Sequence, residues 1–415
     1  MCGINGFNFK DEYLINKMYE SIKNRGPDAS GTYLDDNASL GHTRLSIIDT
    51  DPRSNQPFEY KDLVIAYNGE IYNYLELSKK IINKGIELKT KSDTEIIIIL
   101  FDLYGIKSFK MLSGIFAISI WHKKKKIFYI IRDIVGIKPL YYKFNIKSND
   151  FYFSSSIYAL KNLNLKNEIS DNALYFYQNL GRNDSTESFI KGIHKILPGE
   201  LIIFSESNGI KKKKYLKFNF LKLKMRDEEI KSKIENIIKK QFISDVPIAL
   251  SLSGGVDSNV VYHCLRKYHK RDINIYSFYF NDYKKFNEDF HVASRNVKEF
   301  GGNLNPIEIS YKDFINFTQD STMALEEPMR SEASILNYVM SKKVTEKVLI
   351  TGDGGDEIFT GYDQYRSIYY LELINKINIF KPIFKNFNFH NKLLKRIFLK
   401  GAKELYISFS ERNLY

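Results

Sequence analysis

The sequence predicts an α/β protein of two domains. The first is a layered domain on mainly antiparallel sheets, and the second is built on a parallel sheet. Three observations carry this reading. At 415 residues the chain exceeds what one ordinary hydrophobic core supports. Residues 1–205 break into many short apolar runs with tight turns and a few helical patterns. Beyond residue 226, apolar runs alternate with helical patterns and end in polar, Gly-rich loops, the pattern of a parallel sheet with ligands at one edge.

In the first domain, "LVIAYNGEIYNY" predicts a buried strand over Leu63–Tyr67, a turn at Asn68-Gly69, then a helix. "DTEIIIILFDLYG" predicts a helix running into Gly105, and "GIFAISIWHKKKKIFYIIRD" two apolar strands around a basic hairpin. "FYFSSSIYAL" and "GELIIF" supply further strands. Residues 206–225, "SESNGIKKKKYLKFNFLKLK", read as a linker, and 226–415 form the second domain. There "RDEEIKSKIENIIKKQFI" is an amphipathic helix and "VPIALSLSGG" a buried strand ending in a Gly turn. "DSNVVYHCLRKYHK" is the following helix, while "NIYSFYF" and "KVLITGDGG" are strands running into polar loops.

Composition excludes several classes. Hydrophobic content of 43% is ample for globular cores and argues against disorder. No signal peptide opens the chain, and the longest apolar run, Ile96–Phe101, is far short of a membrane span. The two cysteines, Cys2 and Cys264, lie too far apart to suggest a disulfide framework. The expectation is a cytosolic protein without a membrane partner. The net charge of +13 invites a nucleic-acid reading. The Lys123–Lys126 and Lys211–Lys214 runs fall between strand-like segments, however, and read as solvated loops, so no nucleic-acid partner is expected.

"SGGVDS" (Ser253–Ser258) follows a strand and opens a helix, which turns backbone N–H groups and the helix dipole toward an anion. Gly254 and Gly255 permit close backbone approach, while Ser253 and Ser258 supply hydroxyl donors. Asp257 fits beside a phosphate once Mg²⁺ is added. "TGDGGDE" (Thr351–Glu357) brings more carboxylates to the same sheet edge, so the two loops suggest a nucleoside triphosphate with Mg²⁺. At the other end, removal of Met1 would leave a free α-amine on the residue that carries the Cys2 thiol. An amine of pKa ~8 is a serviceable base for a thiol of pKa ~8.5, so Cys2 would need no separate histidine. His42 and Cys264 are read as structural.

"LSLSGGVDS" resembles the pyrophosphate loop of the N-type ATP pyrophosphatases, and "VLITGDGGDEIFTGY" a signature of asparagine synthetases. "MCGING", "RGPD" (Arg25–Asp28), "GHTRLSIID", "YNGEIYN", "SDTE" and "RDIVGIKPLYY" resemble a class II, N-terminal-nucleophile glutamine amidotransferase domain. Together they identify the chain as similar to glutamine-hydrolysing asparagine synthetases over nearly its whole length. The resemblance implies an αββα glutaminase domain and a parallel-sheet ATP pyrophosphatase domain joined by an internal ammonia channel. It implies Cys2 as nucleophile, with Asn68 and Gly69 stabilising the oxyanion. Arg44 would bind the glutamine carboxylate, and Glu70 and Asp93 its ammonium. ATP would meet Leu252, Ser253, Gly254, Gly255, Asp257, Ser258, Phe280, Thr351 and Gly352; Asp257 and Asp356 would hold Mg²⁺, and Asp353 would lie near the acyl-adenylate.

Thr351, Thr360, Glu326, Asn24 and Ser156 depart from residues common in the family. The segments that usually follow "GYDQYR" have no counterpart, so the synthetase domain is expected to be truncated. The resemblance implies asparagine made from aspartate, ATP and glutamine. Amidation of another carboxylate, a chain with glutaminase activity only, and a homodimer stay open.

Overall fold

The structure is a computed structural model, and it describes residues 1–163, 167–216, 224–269, 272–363 and 365. The chain divides into two compact units. One comprises Met1–Ser170, Ser185–Ile248 and Thr345–Val348; the other comprises Asp171–Asp184, Ala249–Val344 and Leu349 onward.

The first unit opens with β1 (Gly3–Phe7), α1 (Glu12–Glu20), β2 (Ala29–Asp35) and β3 (Ala38–Arg44). It continues through β4 (Phe58–Tyr60), β5 (Leu63–Ile71), α2 (Tyr74–Ile82) and α3 (Asp93–Tyr104). Then come β6 (Gly114–His122), β7 (Ile127–Arg132), β8 (Tyr141–Asn145), β9 (Asp150–Ser154) and α4 (Ile157–Lys161). After α5 (Asp171–Leu180), which belongs to the second unit, the first resumes with β10 (His194–Lys195), β11 (Glu200–Ser205), β12 (Gly209–Lys214) and α6 (Asp227–Lys240).

Two six-stranded sheets result, ordered β10-β8-β9-β1-β3-β2 and β12-β11-β7-β6-β5-β4. Their pairings are antiparallel throughout. Between them lies a core that includes Ile4, Val64, Ala66, Trp121, Phe128 and Phe153. The outer face of one sheet packs Phe7 with Ile15 and Met18 of α1 and Leu160 of α4. The outer face of the other packs Ile65, Tyr67 and Ile118 against Leu77 of α2 and Ile96–Phe101 of α3. Helix, sheet, sheet, helix is therefore the layering, as the sequence led one to expect.

The second unit holds β13 (Ile248–Ser251), α7 (Val256–Tyr268), β14 (Asn274–Phe280), α8 (Glu288–Phe300) and β15 (Asn303–Ile309). It continues with α9 (Tyr311–Leu325), α10 (Glu332–Lys343), β16 (Val348–Ile350) and α11 (Gly355–Phe359). The sheet order is β15-β14-β13-β16, and β14 pairs in parallel with both β13 and β15. The parallel sheet read from strand–helix alternation is thus present.

Two local readings are corrected. Asn68-Gly69 is no turn: β5 runs straight through it, with Asn68 opposite Ala117 and Gly69 opposite Phe116 on β6. Pairing overrides the local turn propensity, and glycine is required there because a Cβ would lie 2.1 Å from the Ile115 carbonyl oxygen. Lys211–Lys214, read as a solvated loop in the linker, lie in β12, paired to β11 with Leu201 opposite Lys213 and Ile203 opposite Lys211. β12 is the edge of its sheet, where exposed lysines discourage pairing with another chain. The terminal "KELYISFSERNLY", whose sequence pattern predicts a helix, lies outside the described residues.

Candidate active sites

The period of two along β5 decides what faces inward. Val64 and Ala66 enter the inter-sheet core while Ile65 and Tyr67 point to the helix side, so Asn68 and Glu70 continue the inward face. Ile4 of β1 enters the same core, and Cys2, two residues before it, shares that face by the same alternation. The Cys2 sulfur accepts a hydrogen bond from the Leu45 N–H at 3.3 Å, and Arg25 Nε donates to the Cys2 carbonyl at 3.1 Å. Burial pushes the Cys2 thiol up, against the Leu45 hydrogen bond and the N-terminal charge, which lower it. The N-terminal amine, carried here by Met1, is brought down to about 6 by burial. The thiol is thus held protonated, and the amine beside it, which in this structure is that of Met1 and not of Cys2, is a free base at neutral pH.

Asn68 is 1% exposed, and among the described residues its side-chain nitrogen has no hydrogen-bond partner. A buried amide donor with no partner from the protein is free to donate to a bound ligand or water. Next to it, the half-buried Glu70 and the buried Asp93 bring two carboxylates together. Burial raises both, and for Glu70 the Asp93 charge raises it further while Lys138 opposes. Asp93 opens α3 behind the capping Ser92; its Oδ2 accepts the Tyr67 hydroxyl at 2.8 Å and the Ile71 N–H at 3.1 Å. Two desolvated carboxylates with so little cationic compensation suit an arriving ammonium group.

Arg44, at the end of β3, donates from Nη1 to the Asp51 carbonyl at 3.0 Å and Asn55 Oδ1 at 2.7 Å. From Nη2 it reaches the carbonyls of Ile48 and Asp49. It is 5% exposed, and among the described residues no carboxylate is ion-paired with it. Its charge is thus held in a rigid frame but not neutralised, which leaves it attractive to a carboxylate from outside.

Lys138 carried no role in the sequence reading although "RDIVGIKP" contains it. The Asp133 carboxylate gathers the N–H groups of Val135, Gly136, Ile137 and Lys138, at 2.6–3.1 Å, into a tight loop after β7. Arg132 braces the loop from the other side through the Lys138 and Gly136 carbonyls. The ammonium so placed is felt by Cys2, Glu70 and the N-terminal amine. His42 is buried, with Nε2 3.1 Å from the Tyr67 carbonyl oxygen and its pKa brought down to about 3 by burial, so it is neutral.

In the second unit the loops at the carboxyl ends of β13 and β16 meet. α7 begins at Val256 behind Gly255, whose lack of a side chain leaves the first N–H groups without a cap from it and open to an anion. The loop's own carbonyls are occupied: Ser258 Oγ donates to Ser253 O at 2.9 Å, and Asn259 Nδ2 reaches Gly254 O at 3.2 Å and Gly255 O at 2.8 Å. A Cβ on Gly352 would lie 2.6 Å from the Ser258 nitrogen, and one on Gly355 would lie 2.2 Å from the Asp257 carboxylate. The second loop therefore packs directly on the start of α7, a contact only glycine permits.

Asp257 is raised by burial and by the charges of Asp356 and Glu357, so the three carboxyl groups repel one another. Thr351 Oγ1 donates to Asp353 Oδ2 at 2.9 Å. Leu252 is buried beyond β13, its N–H donating to Tyr276 O at 2.9 Å, and the Phe280 backbone closes on Asn287 at the end of β14. Among the described residues no three His, Cys, Asp or Glu side chains gather as a ready cage for a metal ion. Magnesium held by one or two carboxylates and substrate phosphates needs no such cage, and the mutual repulsion around Asp257 fits a divalent cation.

The first unit is thus an αββα sandwich with a thiol near its N-terminus, and the second a parallel sheet with a Gly-rich loop before a helix. Residues 1–216 match the family model described as glutamine amidotransferase domain, and residues 229–407 the one described as asparagine synthase. A Methanocaldococcus jannaschii protein bearing the name asparagine synthetase [glutamine-hydrolyzing] 2 is 31% identical over 98% of this chain and 83% of its own. Asparagine synthetase [glutamine-hydrolyzing] 1 of Bacillus subtilis is 31% identical over 88% of this chain and 60% of its own. Amidase chry2 of Gibberella zeae is 27% identical over 88% of this chain and 60% of its own. The chain thus spans less than two thirds of the length of the last two. It belongs to the glutamine-hydrolysing asparagine synthetase family. Among the described residues no helix is long and apolar enough to cross a membrane.

Proposed function

We propose that this protein hydrolyses glutamine at Cys2 and delivers the ammonia to a carboxylate activated by ATP, with aspartate as acceptor and asparagine as product. The observation that carries the glutaminase half is the buried, unpartnered Asn68 amide nitrogen, on the inward face that Cys2 shares. In this reading the Cys2 amine, freed by loss of Met1, takes the thiol proton as sulfur attacks the glutamine amide carbon. Asn68 Nδ2 and the Gly69 N–H receive the oxyanion. Arg44 holds the substrate carboxylate, and Glu70 with Asp93 holds its ammonium. The amine then returns its proton to the departing ammonia, and water releases glutamate from the thioester. A thiol chemistry of this kind suits the reducing cytosol.

Residues 1–205 would form the glutaminase domain and 226–415 the ATP domain. There Ser253–Ser258 would cradle pyrophosphate, Leu252, Phe280, Thr351 and Gly352 would line the nucleotide, and Asp353 would lie near the acyl-adenylate. Asp257 and Asp356 would hold Mg²⁺, which when bound neutralises phosphate charge during cleavage between the α and β phosphates. A second reading, amidation of a different carboxylate, draws support from the Gibberella zeae relative named an amidase. The test is AMP and pyrophosphate release with glutamine and a panel of carboxylic acids. Stimulation by aspartate above all others is expected; stimulation by another acid alone transfers the assignment to it.

A further inference from the structure

Tyr67 has no part in the chemistry above, yet it is fixed at three atoms. Its N–H donates to Gln56 Oε1 at 2.6 Å, its carbonyl oxygen lies 3.1 Å from His42 Nε2, and its hydroxyl donates to Asp93 Oδ2 at 2.8 Å. Gln56 in turn donates from Nε2 to Thr94 Oγ1, at 3.1 Å, so two ties from Tyr67 end on the first turn of α3. The same Oδ2 of Asp93 accepts the Ile71 N–H. One carboxylate oxygen thus binds the residue before and the residue after Asn68-Gly69-Glu70. The three residues assigned to the oxyanion and the ammonium are bracketed between two points of one carboxylate.

We propose that Tyr67 is a positioning residue for glutamine, whose hydroxyl fixes the Asp93 carboxylate against β5 and so sets the spacing between the oxyanion donors and the ammonium-binding pair. The inference rests on the glutaminase reading. A tyrosine serving only as core filler would need no hydroxyl, and at 2% exposure a phenylalanine would serve as well. The titratable groups around Asp93 and Glu70 include Lys138 from the loop after β7, Asp245 before β13 and Tyr74 of α2. The Tyr67 hydrogen bond lowers the Asp93 pKa against the burial that raises it. Removing it makes Asp93 take up its proton at higher pH, and only the ionised carboxylate attracts ammonium.

The experiment is Tyr67→Phe in the full chain, with glutaminase kcat and KM followed across the acid range. The expected result is a KM for glutamine raised about tenfold, since a hydrogen bond to a charged group is lost. The acid limb of kcat/KM moves about one pH unit higher, with kcat within about twofold. Alkylation of Cys2 by iodoacetamide, which carries no ammonium, proceeds at the wild-type rate, while protection by glutamine weakens in step with KM. Thr94→Val, which cuts only the Gln56 tie, raises KM less and leaves the acid limb in place. Unchanged KM and acid limb in Tyr67→Phe, or unchanged KM in Thr94→Val, overturns the proposal. A wild-type chain that does not hydrolyse glutamine sinks the underlying reading instead.

Discussion

Replacing Asn68 by alanine separates function from stability in a way few substitutions do. Among the described residues the Asn68 side-chain nitrogen is buried with no partner from the protein, so its removal breaks no hydrogen bond within the chain. Only a small void is left behind. Asn68→Ala is therefore expected to unfold at a nearly unchanged denaturant midpoint. The loss of one oxyanion donor costs on the order of 10²–10³ in kcat, about 2.7–4 kcal/mol, with KM for glutamine nearly constant because the donor acts on charge that develops in the transition state. The assay pairs glutamate release under saturating glutamine with urea unfolding of the same sample. A kcat within threefold of wild type, or a kcat loss that only tracks a loss of folded protein, would refute the oxyanion assignment.

Other perturbations give equally definite outcomes. Cys2→Ala abolishes glutamine-dependent turnover and leaves ammonia-dependent AMP release intact. The acid limb of glutaminase kcat/KM falls near pH 6, because burial raises the Asp93 carboxyl to about 6 and only its ionised form attracts the substrate ammonium; a flat profile through that range contradicts it. Gly69→Ala forces a Cβ against the Ile115 carbonyl, 2.1 Å away, and lowers stability by about 3 kcal/mol in urea unfolding. Asp257→Asn relieves repulsion from Asp356 and Glu357, so the fold is retained while ATP–pyrophosphate exchange is lost and glutamine hydrolysis persists.

The parts of the site that lie close together in the chain were legible in the sequence. Ser253–Ser258 carries glycines, hydroxyls and a carboxylate within six positions, between a strand and a helix, and each has a local reason to be there. Cys2 was legible because its position behind Met1 is itself chemical information. Tyr67, Gln56 and Lys138 were not, because their meaning arises only when β5, α3 and the loop after β7 are brought into register. The turn read at Asn68-Gly69 failed for the same reason, since pairing with β6 outweighs the propensity of two residues. β15 escaped notice because "NLNPIEI" carries a proline and no clean alternation; it is an edge strand, the place in a sheet where proline is tolerated.

That the residue behind Met1 is the nucleophile of a glutamine site is open to a direct test. Acid quenching during turnover of glutamine, followed by mass spectrometry of the N-terminal peptide, tests it most directly. The expected peptide begins at Cys2 and carries a glutamyl thioester, absent without glutamine. A peptide that retains Met1 and carries no adduct while glutamate is being released would contradict it.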